Sequence, residues 1–284
     1  MAVCKRLVVV GVGLIGGSIA LAAKRHGAAS EVVGVVRSQA SLERAGACGV
    51  ADELTTDLPA AVAEADLILA CTPVGQVAET LLSAAAACPE SAILTDAGST
   101  KAGIVAEVEQ GLAASNASPT FVGCHPLAGN HQTGPESARA DLLEDRVVVV
   151  APTNATPAPT IDLVTRFWQA IGATVVKMSP AEHDASLART SHLPHVIAAA
   201  LAAATPEETL RLAGTGWRDT TRIAAGDAAL WRDILTANRA EVLAALDSFD
   251  QQLAAFRTAL ATGDDDGLQQ LLNQGRQRRD AVGD

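Results

Sequence analysis

The chain has 284 residues and a formal net charge of -11, from 32 acidic and 21 basic side chains. This length is enough for two domains, and the acidic balance without a basic cluster argues against a nucleic-acid partner. No apolar run reaches the ~20 residues of a membrane span, and no signal peptide precedes the first strand. The five cysteines are scattered and form no C-x-x-C pair, which is typical of reduced thiols. We therefore expect a soluble, cytoplasmic protein without a metal site.

Short β-branched runs alternate with helical patterns over the first part of the chain. The runs lie at 6–11, 31–36, 66–73, 92–98, 120–126, 146–152 and 173–178. Such alternation predicts an α/β fold, a Rossmann-type domain with a mostly parallel sheet and helices on both faces. We place this domain at residues 1–178.

The remainder, residues 179–284, is predicted to be an all-α domain. It opens with "SPAEHD", in which Ser179 can cap a helix, Pro180 fits the first helical position and Glu182 completes a capping box. The helices that follow are rich in Ala and Leu with few polar positions. Their excess apolar surface predicts a homodimer through this half.

The first strand is followed by a G-x-G-x-x-G turn at Gly11, Gly13 and Gly16, and then by a helix. In this context the second glycine lets the backbone approach a pyrophosphate, and the helix amides face the anion. The turn predicts a dinucleotide cofactor. The predicted cofactor-binding residues are Gly11, Gly13, Leu14, Ile15, Gly16, Arg37, Ser38, Thr72 and Pro73.

The end of the second strand favours NADP over NAD. An NAD site normally has Asp or Glu there to bind the ribose hydroxyls, but this chain has Val36 followed by Arg37 and Ser38. An arginine and a hydroxyl suit a 2′-phosphate. The alternative is that Arg37 stacks on the adenine and NAD binds.

A histidine, His125, ends the predicted strand 120–126, at the sheet edge where open α/β sheets bind ligands. Ser99 and Lys101 of "DAGSTK" follow the neighbouring strand, so hydroxyl, amine and imidazole can meet at one nicotinamide. The chain has no tyrosine, which excludes a tyrosine proton donor. We expect His26 and His183, by contrast, to be structural.

Six motifs in order resemble the prephenate and arogenate dehydrogenases of tyrosine biosynthesis. They are "GVGLIGGSIAL", "CTPV", "DAGSTK", "GCHPLAGNHQTG", "SHLPH" and "WRDTTRIAAGDAALWRDIL", and the resemblance runs from residue 5 to residue 284. The chain resembles the minimal form of the dehydrogenase, which has no chorismate mutase segment on its N-terminal side and no regulatory domain on its C-terminal side. The resemblance implies oxidative decarboxylation of prephenate to 4-hydroxyphenylpyruvate, with hydride transfer to NAD(P).

The resemblance also assigns roles residue by residue. His125 matches the catalytic histidine, Ser99 the serine beside it, and Arg222 the arginine that binds a substrate carboxylate. The other residues that it places at the substrate are His192, His195 and Trp231.

Each of these substrate roles has a structural alternative. Arg222 could pair with Asp219 or Asp227 on a helix surface, and Trp231 could belong to the core. The H-x-x-H pair could bind a metal, although no nearby carboxylate or cysteine completes a site. His192 could sit in the first turn of a helix that Ser191 caps, without a catalytic part.

Family members often have an acidic residue six positions after the catalytic histidine, where this chain has His131. A histidine would not attract the ammonium group of arogenate, so prephenate is favoured. Arogenate, or use of both substrates, stays open.

Two other readings are possible for the chain as a whole. One is a related two-domain reductase, such as a β-hydroxyacid dehydrogenase or a pyrroline-carboxylate reductase, which would not explain "GCHPLAG" together with "SHLPH". The other is a non-catalytic NADP-binding sensor, since a fold alone does not prove chemistry.

Overall fold

The computed structural model describes residues 2–115, 119–129 and 132–283. Its eight strands are β1 Cys4–Val10, β2 Ala29–Val35, β3 Glu53–Thr55, β4 Leu67–Ala70, β5 Ile93–Asp96, β6 Thr120–Pro126, β7 Val147–Ala151 and β8 Thr174–Lys177. Seven of them correspond to the seven predicted runs. The eighth, β3, was not predicted, because it is three residues long, lies at the sheet edge and has no buried residue.

The strands form one sheet in the order β3-β2-β1-β4-β5-β6-β7-β8. Neighbouring strands are parallel except β6 and β7, which are antiparallel. The carboxyl ends of β1, β4, β5 and β6 therefore share one edge. The strand order reverses between β1 and β4, the place where open α/β sheets bind dinucleotides.

Helices cover both faces of this sheet, as predicted. They are α1 Leu14–His26, α2 Gln39–Ala47, α3 Leu58–Val62, α4 Val77–Ala85, α5 Ala102–Ala114 and α6 Ala158–Ala170. Consecutive residues of β1 point to opposite faces: Val9 joins a core with α1 and α6, whereas Val8 joins a core with α3, α4 and α5. Burial on both faces explains why the strands are continuous β-branched runs rather than alternating ones.

The chain after Lys177 is helical in the part that the structure describes. Its helices are α7 Pro180–Leu187, α8 Leu193–Ala204, α9 Thr215–Thr221, α10 Ala228–Ala237, α11 Arg239–Thr262 and α12 Asp265–Asp280. The predicted capping box begins α7: the Ser179 hydroxyl accepts from the Glu182 amide at 3.2 Å, and the Glu182 carboxylate accepts from the Ser179 amide at 2.8 Å.

A π-helical turn, Ala188–His192, joins α7 to α8 without a break. Ser191 therefore does not cap a new helix, and the predicted cap before His192 is wrong. Because π-helical turns often accompany functional sites, the residues around this turn are candidates for such a site.

All five cysteines, each within the described ranges, are free thiols. Across those same ranges, no helix is both long and apolar enough to cross a membrane.

Candidate active site

The glycine turn lies between β1 and α1, against the end of β4. A Cβ on Gly16 would come within 2.1 Å of the Gly11 carbonyl oxygen, so only glycine lets α1 pack this closely on the turn. A Cβ on Gly13, in contrast, would meet no protein atom within 4 Å. The backbone of Gly13 thus borders open space at the first turn of α1, which fits the approach of a pyrophosphate.

The other residues predicted near the turn surround it. Leu14 is buried in α1, and Ile15 is half-buried. A Cβ added to Gly129 would lie 3.5 Å from Cδ1 of Ile15. Thr72 and Pro73 follow β4, and a Cβ added to Gly11 would lie 3.1 Å from the backbone nitrogen of Thr72. This closeness of Ile15 to Gly129 places the loop after β6 beside the start of α1.

Beyond β2, Val36 is buried whereas Arg37 and Ser38 are exposed. The Ser38 hydroxyl caps α2 by accepting from the Ser41 amide at 3.2 Å, and the first turn of α2 has no acidic residue. This end of the site therefore presents a guanidinium and a helix start and has no carboxylate in the position that NAD normally uses.

His125 is half-buried at the carboxyl end of β6. Burial lowers its pKa well below the ordinary histidine value, and His183, Lys101 and His192 lower it further by electrostatic repulsion. Its imidazole is therefore neutral at pH 7 and can accept a proton.

The nitrogen Nδ1 of His125 lies 2.8 Å from Nε2 of His183. His183 is fully buried, and its Nδ1 lies 2.7 Å from a carboxylate oxygen of Asp184. The same carboxylate accepts from the backbone amides of Lys101 at 2.7 Å and Ala102 at 2.8 Å, and so caps α5 from another helix. Sequence reasoning treated His183 as structural; it is buried as expected, but its partner is His125.

Beneath His125, the buried Lys101 ammonium pairs with the buried Asp96 carboxylate. Asp96 also accepts from the backbone amides of Gly98 at 2.8 Å and Cys124 at 2.9 Å. This pair joins the ends of β5 and β6 and holds the start of α5. Sequence reasoning saw Lys101 as a group that could reach the nicotinamide, but a fully buried, paired ammonium is a structural element of the site.

Ser99 is half-buried in the loop between β5 and α5. The hydrogen bond that orients His125 goes to His183, which leaves the Ser99 hydroxyl for another partner.

The residues from the helical half form a second group. His195 stacks on Trp231 with ring centroids 3.3 Å apart, and His192 meets the same indole edge-on at 6.2 Å. Burial lowers the pKa of His195, and the charge of Arg222 lowers it further, so the guanidinium acts on this imidazole. Arg222 is exposed and, among the described residues, forms no ion pair with Asp219 or Asp227. Asp227 instead caps α10 by accepting from the Leu230 amide at 2.9 Å.

His192 is 1% exposed, so it forms the rear wall of this group rather than an open surface. Its Nδ1 lies 3.1 Å from Nδ2 of Asn238, which also donates to the Asp184 carbonyl at 2.8 Å. His192 and His183 are therefore linked through Asn238 and Asp184. No set of three His, Cys, Asp or Glu side chains within the described residues is arranged to hold a metal.

The structure thus brings His125, Ser99 and the glycine turn to one sheet edge and joins His192, His195, Trp231 and Arg222 in the helical half. His131 lies outside the described residues. Sequence reasoning missed the linking residues His183, Asp184 and Asn238. A signal was present in "SPAEHD", where a histidine and an aspartate stand together inside a helix that Ser179 and Glu182 already cap.

Two family models match the chain. They are described as "Prephenate dehydrogenase, nucleotide-binding domain", over residues 19–177, and "Prephenate dehydrogenase, dimerization domain", over residues 179–274. A relative, the cyclohexadienyl dehydrogenase of Zymomonas mobilis subsp. mobilis, is 35% identical over 291 residues, covering 99% of this chain and 97% of its own.

Solved structures agree in fold. Prephenate dehydrogenase from A. aeolicus, crystallised with hydroxyphenyl propionate and NAD+, has a TM-score of 0.89 and 30% identity, covering 98% of both chains. Synechocystis arogenate dehydrogenase has a TM-score of 0.85 and 30% identity, covering 98% of this chain and 100% of its own. The predicted fold class and the resemblance are both confirmed: the chain belongs to the prephenate dehydrogenase family of NAD(P)-dependent oxidoreductases.

Proposed function

We propose that this protein converts prephenate to 4-hydroxyphenylpyruvate by oxidative decarboxylation, with His125 as the general base. The observation that carries the proposal is the position of a neutral, oriented imidazole at the carboxyl end of β6, beside the loop that contacts the glycine turn at Ile15. A general base of this kind typically contributes ~10²–10⁴ in rate.

The cofactor would be held by the backbone around Gly13, where the turn leaves room for a pyrophosphate. A nicotinamide held there would supply the acceptor for the hydride of the substrate C4. The protein's own contribution begins with His125, which takes the proton of the C4 hydroxyl while the Ser99 hydroxyl holds the same oxygen. Loss of carbon dioxide then makes the ring aromatic and leaves a phenolate oxygen, which takes the proton back from His125 to form the hydroxyl of the product. The departure of carbon dioxide renders the conversion irreversible.

Arg222 is proposed to hold the substrate carboxylate. Its guanidinium is exposed and is not paired with Asp219 or Asp227, and it acts electrostatically on His195. The stacked pair of His195 and Trp231 offers an aromatic wall for the substrate ring. His192 was also predicted to bind substrate; its burial supports a role behind that wall.

NADP is favoured as the cofactor, with NAD as the alternative. The preference is supported by the exposed Arg37 and by Ser38 at the start of α2, where a carboxylate would repel a 2′-phosphate. The A. aeolicus relative was crystallised with NAD+, which keeps the alternative open.

The choice of prephenate rests on the sequence position of His131. The relatives carry three different names, for cyclohexadienyl, prephenate and arogenate dehydrogenases. Arogenate, or both substrates, is therefore the alternative.

We propose a homodimer through the helical half, with the domain boundary near residue 178. The boundary is supported by the end of β8 at Lys177 and the start of α7 at Pro180. The dimer is supported by the match to a dimerisation domain and by exposed leucines on the helices, among them Leu243, Leu253, Leu260 and Leu272.

Steady-state kinetics test the function directly: prephenate and arogenate are each crossed with NADP and NAD, and carbon dioxide release is measured. We expect His125→Asn to leave cofactor affinity within about threefold and to reduce kcat by ~10²–10⁴. His26→Asn is the matched control, because His26 is the last residue of α1 and lies 3.7 Å from the half-buried Glu144 carboxylate. Cofactor binding without turnover of either substrate would favour the sensor alternative, and full activity of His125→Asn would place the base elsewhere.

A further inference from the structure

We propose that His183 is a positioning residue that selects the tautomer of His125, leaving Nε2 of His125 as the unprotonated nitrogen. The inference rests on the proposed function, in which His125 is the base. His183 lies in the helical half, and its Nε2 is within hydrogen-bond distance of Nδ1 of His125, at 2.8 Å.

Asp184 sets the direction of the hydrogen bonds between the two rings. Its carboxylate accepts hydrogen bonds from two backbone amides at the start of α5 and lies within hydrogen-bond distance of the His183 ring. Burial raises the pKa of Asp184, but the hydrogen bonds from His183, Ala102 and Lys101 outweigh it, and the pKa is lowered overall. Asp184 is therefore ionised at pH 7, and an ionised carboxylate can only accept hydrogen bonds. Nδ1 of His183 must carry the proton that it donates to Asp184.

The proton positions on the two imidazoles follow in sequence. A neutral His183 with its proton on Nδ1 has an accepting Nε2. Nδ1 of His125, 2.8 Å away, must then be the donor. A neutral His125 with its proton on Nδ1 has a free lone pair on Nε2, which is the form a general base needs. The ring planes meet at 62° with centroids 5.0 Å apart, an edge contact that suits an N–H···N bond rather than stacking.

The relay is anchored at both ends. His183 and Asp184 lie on α7, while His125 lies on β6 and the two amides that bind Asp184 lie at the start of α5. Asn238 adds a further tie by donating to the Asp184 carbonyl at 2.8 Å. The base is therefore correctly protonated only where the helical half packs on the sheet domain, because each half supplies part of the relay.

The competing arrangement has a doubly protonated His183. Nδ1 of His125 would then accept, and Nε2 of His125 would carry a proton, so His125 could not act as a base. The charged groups around this pair are Asp184 on α7 and Lys101 at the start of α5 with its partner Asp96, and the titratable neighbour is His192 on the π-helical turn, which is neutral at pH 7. The two arrangements differ in the proton on one named atom, which can be measured.

The first experiment reads that proton without substrate. Protein labelled with ¹⁵N at its six histidines is examined by two-bond ¹H–¹⁵N correlation NMR at pH 7, with His125→Asn used to assign the His125 signals. We expect Nδ1 of His125 to be protonated and Nε2 to be bare. A proton on Nε2, or both nitrogens of His183 protonated, overturns the proposal whatever the enzyme does.

The second experiment compares two variants. His183→Asn keeps an amide that can donate to Asp184 but is too short to reach His125, whereas the longer His183→Gln can offer an oxygen to Nδ1 of His125. We expect kcat to fall roughly 10- to 1000-fold in the Asn variant, below the full contribution of a general base, and to recover at least severalfold in the Gln variant. KM and cofactor affinity should stay within about threefold in both.

Equal kcat for wild type and His183→Asn overturns the proposal. The proposal is also overturned if His183→Asn and His183→Gln lose the same factor in kcat and the same amount of melting temperature. Failure of the proposed function gives a different result: the wild type would oxidise neither substrate, while the NMR signals would still report the His125 tautomer.

Discussion

A Gly13→Ala substitution, which adds one methyl group, is expected to weaken cofactor binding without destabilising the fold. The Gly13 backbone is extended, with φ -104° and ψ -152°, and so does not have the positive φ that requires glycine. A Cβ there would meet no protein atom within 4 Å. We therefore expect Gly13→Ala to change the free energy of unfolding by no more than about 0.5 kcal/mol.

The same methyl group would stand where the cofactor pyrophosphate is proposed to bind. Overpacking of this kind typically costs about 1–3 kcal/mol, which corresponds to a roughly 5- to 150-fold increase in the cofactor Kd. Gly16→Ala is the matched comparison, because its Cβ would lie 2.1 Å from the Gly11 carbonyl oxygen, a backbone atom that cannot rotate away. That variant should lose stability as well as binding.

The assay combines thermal denaturation without cofactor and titration calorimetry with NADPH and NADH. Gly13→Ala should unfold with the wild-type melting temperature and bind both cofactors weakly. Wild-type affinity in a folded Gly13→Ala protein would refute the reasoning, because the cofactor would then approach the sheet edge elsewhere.

Three more predictions concern the substrate, the cofactor and pH. Arg222→Ala should raise KM at least tenfold, since this exposed guanidinium is proposed to hold the carboxylate; an unchanged KM in initial-rate kinetics would remove it from the site. Val36→Asp should lower the ratio of kcat/KM with NADP to kcat/KM with NAD, because the new carboxylate repels a 2′-phosphate. An unaltered ratio would contradict this prediction. Burial lowers the pKa of His192 to about 4 from 6.5, so the unfolded chain binds more protons between these values. Stability should fall as pH drops from 6.5 to 4, by at most about 3 kcal/mol for this group, and urea unfolding that is independent of pH would contradict it.

The sequence was most informative where function depends on neighbours along the chain. The turn from Gly11 to Gly16 is one continuous segment, and its spacing alone indicates a strand, a tight turn and a helix start. The capping box of Ser179 and Glu182 is equally local, and it is present as predicted. The strand β3 was missed because its three residues have neither burial nor periodicity to mark them.

The orientation of His125 is different, because its partner is 58 positions away in the chain. The local signal in "SPAEHD", a histidine next to an aspartate inside a capped helix, does not indicate which distant residue the His183 ring contacts.

By itself, the sequence determined the doubly covered sheet, the glycine turn, the family and the histidine at the end of β6, since each follows from short-range periodicity or from a contiguous motif. Only the tertiary structure decided which partners these groups have: Lys101 pairs with Asp96 beneath the site, and His183 joins His125 to Asp184. The physical reason is that hydrogen bonds between distant segments depend on how β5, β6, α5 and α7 pack together, and that packing is a property of the whole fold.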